Sequence, residues 1–181
     1  SGATFRAGTV DTVGVVTNAG TLDIDANQTV TSLTNQAGGL VDQDANLTAA
    51  AGVTNATGAT YDLAGNITAA GHVTQDGTLN VDGTRRIDVT GATTGLTGAG
   101  EITVNTASDA LTIDQIGDTT FAGIVTGAGS VTKEGTGALT ITGASTFTGG
   151  TFVSETTSAT TDGGTLHDAG PISIASGATF R

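Results

Sequence analysis

Asparagine recurs at Asn27, Asn46 and Asn66, 19 and then 20 residues apart, and threonine follows each two positions later. The flanking residues repeat with it. Asp23-Ile24-Asp25-Ala26-Asn27 returns as Asp42-Gln43-Asp44-Ala45-Asn46, and Val16-Thr17-Asn18 returns as Leu33-Thr34-Asn35, Val53-Thr54-Asn55 and Val73-Thr74-Gln75. A unit this short cannot bury its own apolar face and is completed only by the next unit stacked on it. The period therefore restricts the chain to a solenoid.

Within each period the apolar residues alternate with polar ones. Leu22/Ile24, Tyr61/Leu63 and Leu79/Val81 each put two side chains on one face of an extended segment, and Gly, Asn or Asp marks the turns between segments. About a fifth of the chain is threonine, and aromatic residues make up only 3%. β-branched residues fit a pleated surface, whereas so few aromatics cannot fill a broad globular core. The expected class is all-β, a parallel stack of short strands around a narrow interior, with Leu22, Ile24, Leu40, Leu63, Leu79, Val81, Val104, Leu139 and Ile141 pointing inward. Coils of about 19 residues over 181 residues predict roughly nine coils and a rod of about 45 Å. No linker or composition break divides the chain, so residues 1–181 read as a single solenoid segment.

A formal net charge of −12, from 17 acids against 5 bases, argues against nucleic acid and against anionic lipid surfaces as partners. There is no cysteine, and no apolar run approaches the roughly 20 residues of a membrane span. The chain opens mid-pattern at Ser1-Gly2-Ala3-Thr4, which reads as a piece of something longer.

From Arg85 the register loosens and a second repeat style follows. Leu96-Thr97-Gly98-Ala99-Gly100-Glu101-Ile102-Thr103-Val104 is echoed from Val125 to Lys133. The stretch Phe121 to Val153 carries Gly127, Gly129, Val131, Thr132, Lys133, Gly135, Gly137, Leu139, Thr140, Ile141 and Gly143, then Thr146-Phe147-Thr148-Gly149-Gly150-Thr151. It resembles the Gly-rich β-strand repeat in passenger regions of bacterial autotransporters and large surface adhesins, with Phe147 where tyrosine is usual. The resemblance implies a right-handed parallel β-helix exported to the bacterial cell surface or beyond. It implies no activity, and no protease signature such as Gly-x-Ser-x-Gly accompanies it.

Several side chains are candidates for chemistry. The stacked stretches Asp23/Asp25 and Asp42/Asp44 bring four carboxylates together, enough to consider Ca²⁺, although Asp is equally an ordinary turn residue and the calcium-binding nonapeptide is missing. The column Asn27, Asn46, Asn66 reads as an inward amide ladder. Yet Asn27-Gln28-Thr29, Asn46-Leu47-Thr48, Asn55-Ala56-Thr57 and Asn66-Ile67-Thr68 are all glycan-acceptor sequons, and an inward ladder excludes a sugar. Thr29, Thr48 and Thr68 form a threonine column beside it, the kind of array an ice-binding surface uses. A carbohydrate-active β-helix would need a paired acid and base with basic and aromatic sugar platforms. The two histidines, His72 and His167, are far apart, and the one basic cluster, Arg85-Arg86, reads as an exposed loop, so no enzyme is expected.

The two ends share Ser-Gly-Ala-Thr-Phe-Arg, at residues 1–6 and 176–181, an offset of 175. This predicts one unit of a tandem or head-to-tail array, with Phe5 or Phe180 filling the interior at the junction. The functional expectation is a non-enzymatic, cofactor-free segment of an extracellular adhesin or surface fibre supporting adhesion, biofilm or filament formation. Its partners would be further copies of itself and a host surface or glycan. A carbohydrate-binding or carbohydrate-active β-helix and an ice-binding solenoid are the alternatives.

Overall fold

The computed structural model describes residues 4–6, 12–154, 159–162 and 170–180. Within them there is no helix, and every strand pairs in parallel with the strand one coil away. The chain is a parallel β-solenoid with three sheets. A seven-stranded sheet runs from Thr4–Arg6 through Thr21–Ile24, Leu40–Gln43, Thr60–Leu63, Thr78–Val81 and Glu101–Val104 to Ile124–Gly127. A larger sheet of 11 strands forms the second face, and a four-stranded sheet from Thr119–Phe121 to Thr179–Phe180 forms the third.

The third face grows out of the second. In the early coils one long strand covers both, as in Gln28–Asn35 and Leu47–Asn55, with a register shift between Val30 and Ser32. One coil later the same path is two strands, Ile67–Ala69 and Val73–Gln75, both paired with Leu47–Asn55. Gly52 sits where the path splits. Its φ is +124°, and a Cβ there would lie 2.5 Å from the His72 carbonyl oxygen of the next coil, so only glycine fits.

Stacking in register turns each sequence position into a column. Leu22, Val41, Tyr61, Leu79, Ile102 and Val125 form one inward column, and Leu47, Ile67, Ile87 and Ile113 another. All ten are buried and belong to one continuous core. Of the residues expected inside, Leu40 is the exception. It stands in the outward column between Thr21 and Thr60 and is half-buried, because Val41 takes the inward position. Two adjacent apolar residues leave the alternation ambiguous, and the column of neighbours decides it.

About seven turns make up the stack, not the nine expected. Coil length also varies. Thr21 pairs with Leu40 at an offset of 19, but Thr78 pairs with Glu101 and Glu101 with Ile124, both at an offset of 23. The added residues lie in the turns at 90–95 and 105–109, which add contour without adding height. Asp109 holds the second turn, accepting from Thr106 N at 2.7 Å and Gly83 N at 3.0 Å.

Leu139 is 1% exposed, in register with Thr119 of the coil below. Leu139→Asp leaves an uncompensated buried charge, which costs about 3 kcal/mol or more. It should lower the melting temperature sharply, while Leu40→Thr, flanked by threonines on the outside, should change stability by no more than about 0.5 kcal/mol. Equal melting curves for the two variants would contradict this register.

Candidate functional site

At the corner between the first and second faces, Asn27, Asn46 and Asn66 stack on the outside of the solenoid, and all three are exposed. Each amide oxygen accepts the backbone N–H of the coil above. Asn46 N donates to Asn27 Oδ1 at 3.1 Å, Asn66 N to Asn46 Oδ1 at 3.0 Å, and Arg86 N to Asn66 Oδ1 at 2.9 Å. The column thus satisfies backbone donors at a corner where strand pairing lapses. It stands outside the corner rather than inside it, because each Asn is in phase with the outward threonine two residues on.

The inward amide run is a different one, at the end of the long strands. Asn18 Nδ2 donates to Asn35 Oδ1 at 2.8 Å, Asn35 Nδ2 to Asn55 Oδ1 at 2.9 Å, and Asn55 Nδ2 to Gln75 Oε1 at 3.0 Å. Each Nδ2 also reaches a strand-end carbonyl, that of Leu40, Thr60 or Thr78 in turn. Asn35 is 0% exposed and Asn55 2%. The signal for it was the recurring Val/Leu-Thr-Asn/Gln triplet, in which the apolar residue two places earlier fixes the amide inward. Further polar groups are buried in the same manner. Gln43 donates to Ala45 O at 2.7 Å and Asn66 O at 2.9 Å and accepts from the Tyr61 hydroxyl, whose own ionisation is pushed up by burial.

The acids form a column on the first face, Asp23 below Asp42 below Asp62, followed by Asn80, whose amide donates to Asp62 at 2.6 Å. Asp25 and Asp44 stand beside it at the exposed corner. Burial, and then repulsion from Asp44, Asp23, Asp62 and Asp25, raises the Asp42 pKa. Among the described residues, no group of three or more His, Cys, Asp or Glu is arranged to hold a metal ion.

The threonine column Thr29–Thr48–Thr68 also stacks, but Asp88, Asp114 and Glu134 take the next three rungs. A second column, Thr17–Thr34–Thr54–Thr74–Thr97, lies across the Gly52 corner. Arg85 and Arg86 lie in the strand Thr84–Val89, not in a loop. Arg86 pairs with Asp114 and, at 2.5 Å, with Glu134, so it ties together the upper two rungs of the acidic column. Thr4–Arg6 pairs on the first face and Thr179–Phe180 on the third, so the two copies of the shared hexapeptide occupy different sheets. The side chains of Phe5 and Phe180 lie outside the described residues, as does His167.

Removing Asn35 strands Asn55 Oδ1 inside the solenoid and takes the side-chain donor from Thr60 O and from Gly39 O, the latter keeping the Thr60 N–H. At about 1–3 kcal/mol for a stranded buried group, Asn35→Ala should cost about 2–3 kcal/mol in a denaturant titration. Asn46→Ala, on the wet corner, should cost about 1 kcal/mol or less. Asp42 behaves in the opposite sense. Its folded pKa lies above its unfolded value of 3.8, so stability falls as pH rises through that window and stays lower at neutral pH. Asp42→Asn should therefore melt higher than the parent chain at pH 7, and the gap should close below about pH 3.8. A gap independent of pH would refute the repulsion between rungs.

No curated protein and no solved structure shows significant similarity to this chain. The family model described as passenger-associated-transport-repeat matches residues 131–155. Those residues begin with Ser130–Glu134 of the second face, continue through Leu139–Ile141 of the third and reach Thr151–Val153 directly above Val131–Lys133. The match spans one full turn of the coil, and that turn, set in register on the rest of the solenoid, is similar to a passenger-associated transport repeat.

Proposed function

We propose that the chain is a structural segment of an extracellular bacterial surface fibre or adhesin, non-enzymatic and built to extend a binding surface away from the cell. The observation that carries this reading is the passenger repeat at residues 131–155, continuous in register with coils of quite different sequence. A solenoid whose coils share only spacing and parity can vary its outward columns freely, which suits a stalk that displays side chains along its length. The outward surface is polar and acidic, with threonine and asparagine columns on the first coils and an Arg86-bridged acidic column above them.

We extend this reading to stacking on Ile172–Ile174, the uppermost described strand of the second face. Ile172 and Ile174 stand above Thr151 and Val153, which are buried, yet are themselves 49% and 47% exposed. They occupy inward positions with nothing above them among the described residues. An open parallel edge of this kind accepts another coil, from a second copy or from a covalently joined unit, and the contact repeats without closing.

Two measurements test the reading. In bacteria expressing the full-length gene, protease added to intact cells should digest this segment; protection until the cells are lysed would overturn surface display. In purified chain, apparent size should rise with concentration, and filaments should be one solenoid wide with a repeat near 4.8 Å along the axis. Ile174→Lys should suppress that growth. A parent chain that stays monomeric at every concentration would remove the head-to-tail contact and leave the stalk reading to the protease result.

A further inference from the structure

We propose that Asn27, Asn46 and Asn66 form a stripe of N-glycan acceptor sites on the folded solenoid, each able to take a hexose from an activated sugar donor, while the fourth sequon, Asn55, is closed. Amide ladder and sugar look mutually exclusive in the sequence, but the geometry separates them onto opposite ends of the same amide.

In the corner column the partner is always a backbone N–H, which can only donate. The atom it meets must be Oδ1, and that fixes the orientation of each side chain. Nδ2, the atom that carries a sugar, has no partner among the described residues and faces solvent. The threonine two residues later is outward as well, exposed in Thr29 and Thr48 and half-buried in Thr68, since an extended chain puts i and i+2 on one side. All three Asn-x-Thr pairs therefore line one open groove, with Arg86 at its upper end. Asn55 has the opposite arrangement. Its side chain is buried, and its Nδ2 is used twice, by Gln75 Oε1 and Thr78 O.

The transfer balances without further reactants. Nδ2 displaces the nucleoside diphosphate from the anomeric carbon of a sugar nucleotide. The new N–C bond forms as the C–O bond breaks, the leaving diphosphate keeps the electron pair, and a base of the transferase takes one amide proton. The product amide keeps its carbonyl, so the hydrogen bond to the next coil survives and the solenoid is not disturbed. Successive acceptors are one rung apart, about 4.8 Å, close to the width of a single pyranose ring.

The test is independent of adhesion and of assembly. The folded chain and synthetic peptides spanning each of the four sequons are incubated with a soluble sequon-dependent N-glucosyltransferase and UDP-glucose, and modified asparagines are mapped by mass spectrometry. In the peptides all four sites should react. In the folded chain Asn27, Asn46 and Asn66 should retain their reactivity, while Asn55 falls about tenfold or more, because reaching it requires local opening. Thr48→Ala should abolish the sugar at Asn46 alone. The Asn66 backbone amide should keep its hydrogen-exchange protection after modification of Asn46. Suppression of the three corner sites to the level of Asn55, reaction at Asn55 equal to theirs, or no reaction at the three sites in peptide and folded chain alike would each overturn the assignment.

Discussion

Everything in this molecule depends on the parallel hydrogen bonds that seat one coil on the next. They fix the register, and register turns each side-chain choice into a column: what stands at one position meets its counterpart one rung, about 4.8 Å, above and below. Apolar columns are stable under that constraint because contact between like residues buries area on both sides. Polar columns survive inside only when each member can be donor to one neighbour and acceptor from the other. Amides meet this condition and carboxylates, which only accept, do not, and the buried run is made of Asn18, Asn35, Asn55 and Gln75.

The same constraint explains the uneven treatment of charge. Asp23, Asp42 and Asp62 stand directly on one another, and the column is relieved only where Asn80 donates to Asp62. On the second face, Asp88, Asp114 and Glu134 form an equally unfavourable file, but Arg86 reaches from a neighbouring column to the upper two. Burial, and then Asp114 above it, still raise the Asp88 pKa against the opposing pull of Arg86. A solenoid can hold acids in columns on a wet face because water screens them, whereas the buried carboxylate of Asp109 stands singly and is held by backbone N–H donors.

The period, the class and most of the core were legible in the sequence because they depend on spacing alone. What was not legible depended on phase. Asn27 and Asn35 are both asparagines at a strand boundary, yet one precedes an outward threonine and the other follows an inward leucine. That parity, visible in Thr29 and Leu33, decides which amide is buried. Leu40 was misplaced for a related reason, since Leu40 and Val41 are adjacent and only the columns through Leu22 and Tyr61 choose between them. The variation in coil length was not legible either, because the residues at 90–95 and 105–109 lengthen coils without repeating anything. Arg86 could not be paired from sequence at all, because its partners are 28 and 48 residues away and become neighbours only through stacking.

Glycine records how tightly the coils approach. In the passenger-type repeat Gly135 takes a φ of +75°, and a Cβ there would lie 2.4 Å from the Gln115 carbonyl oxygen of the coil beneath. Its conformation and the lack of space both demand glycine, and the demand comes from the neighbouring coil rather than from the local turn. This separates what evolution can change from what it cannot. Outward side chains answer mainly to water and to partners, so columns such as Thr29–Thr48–Thr68 can pass into Asp88 and Asp114 while the register is kept. Positions in contact with the backbone of the adjacent coil have no such freedom. A short Gly-rich signature can therefore persist in one turn while the coils around it drift beyond recognition and still hold the same register.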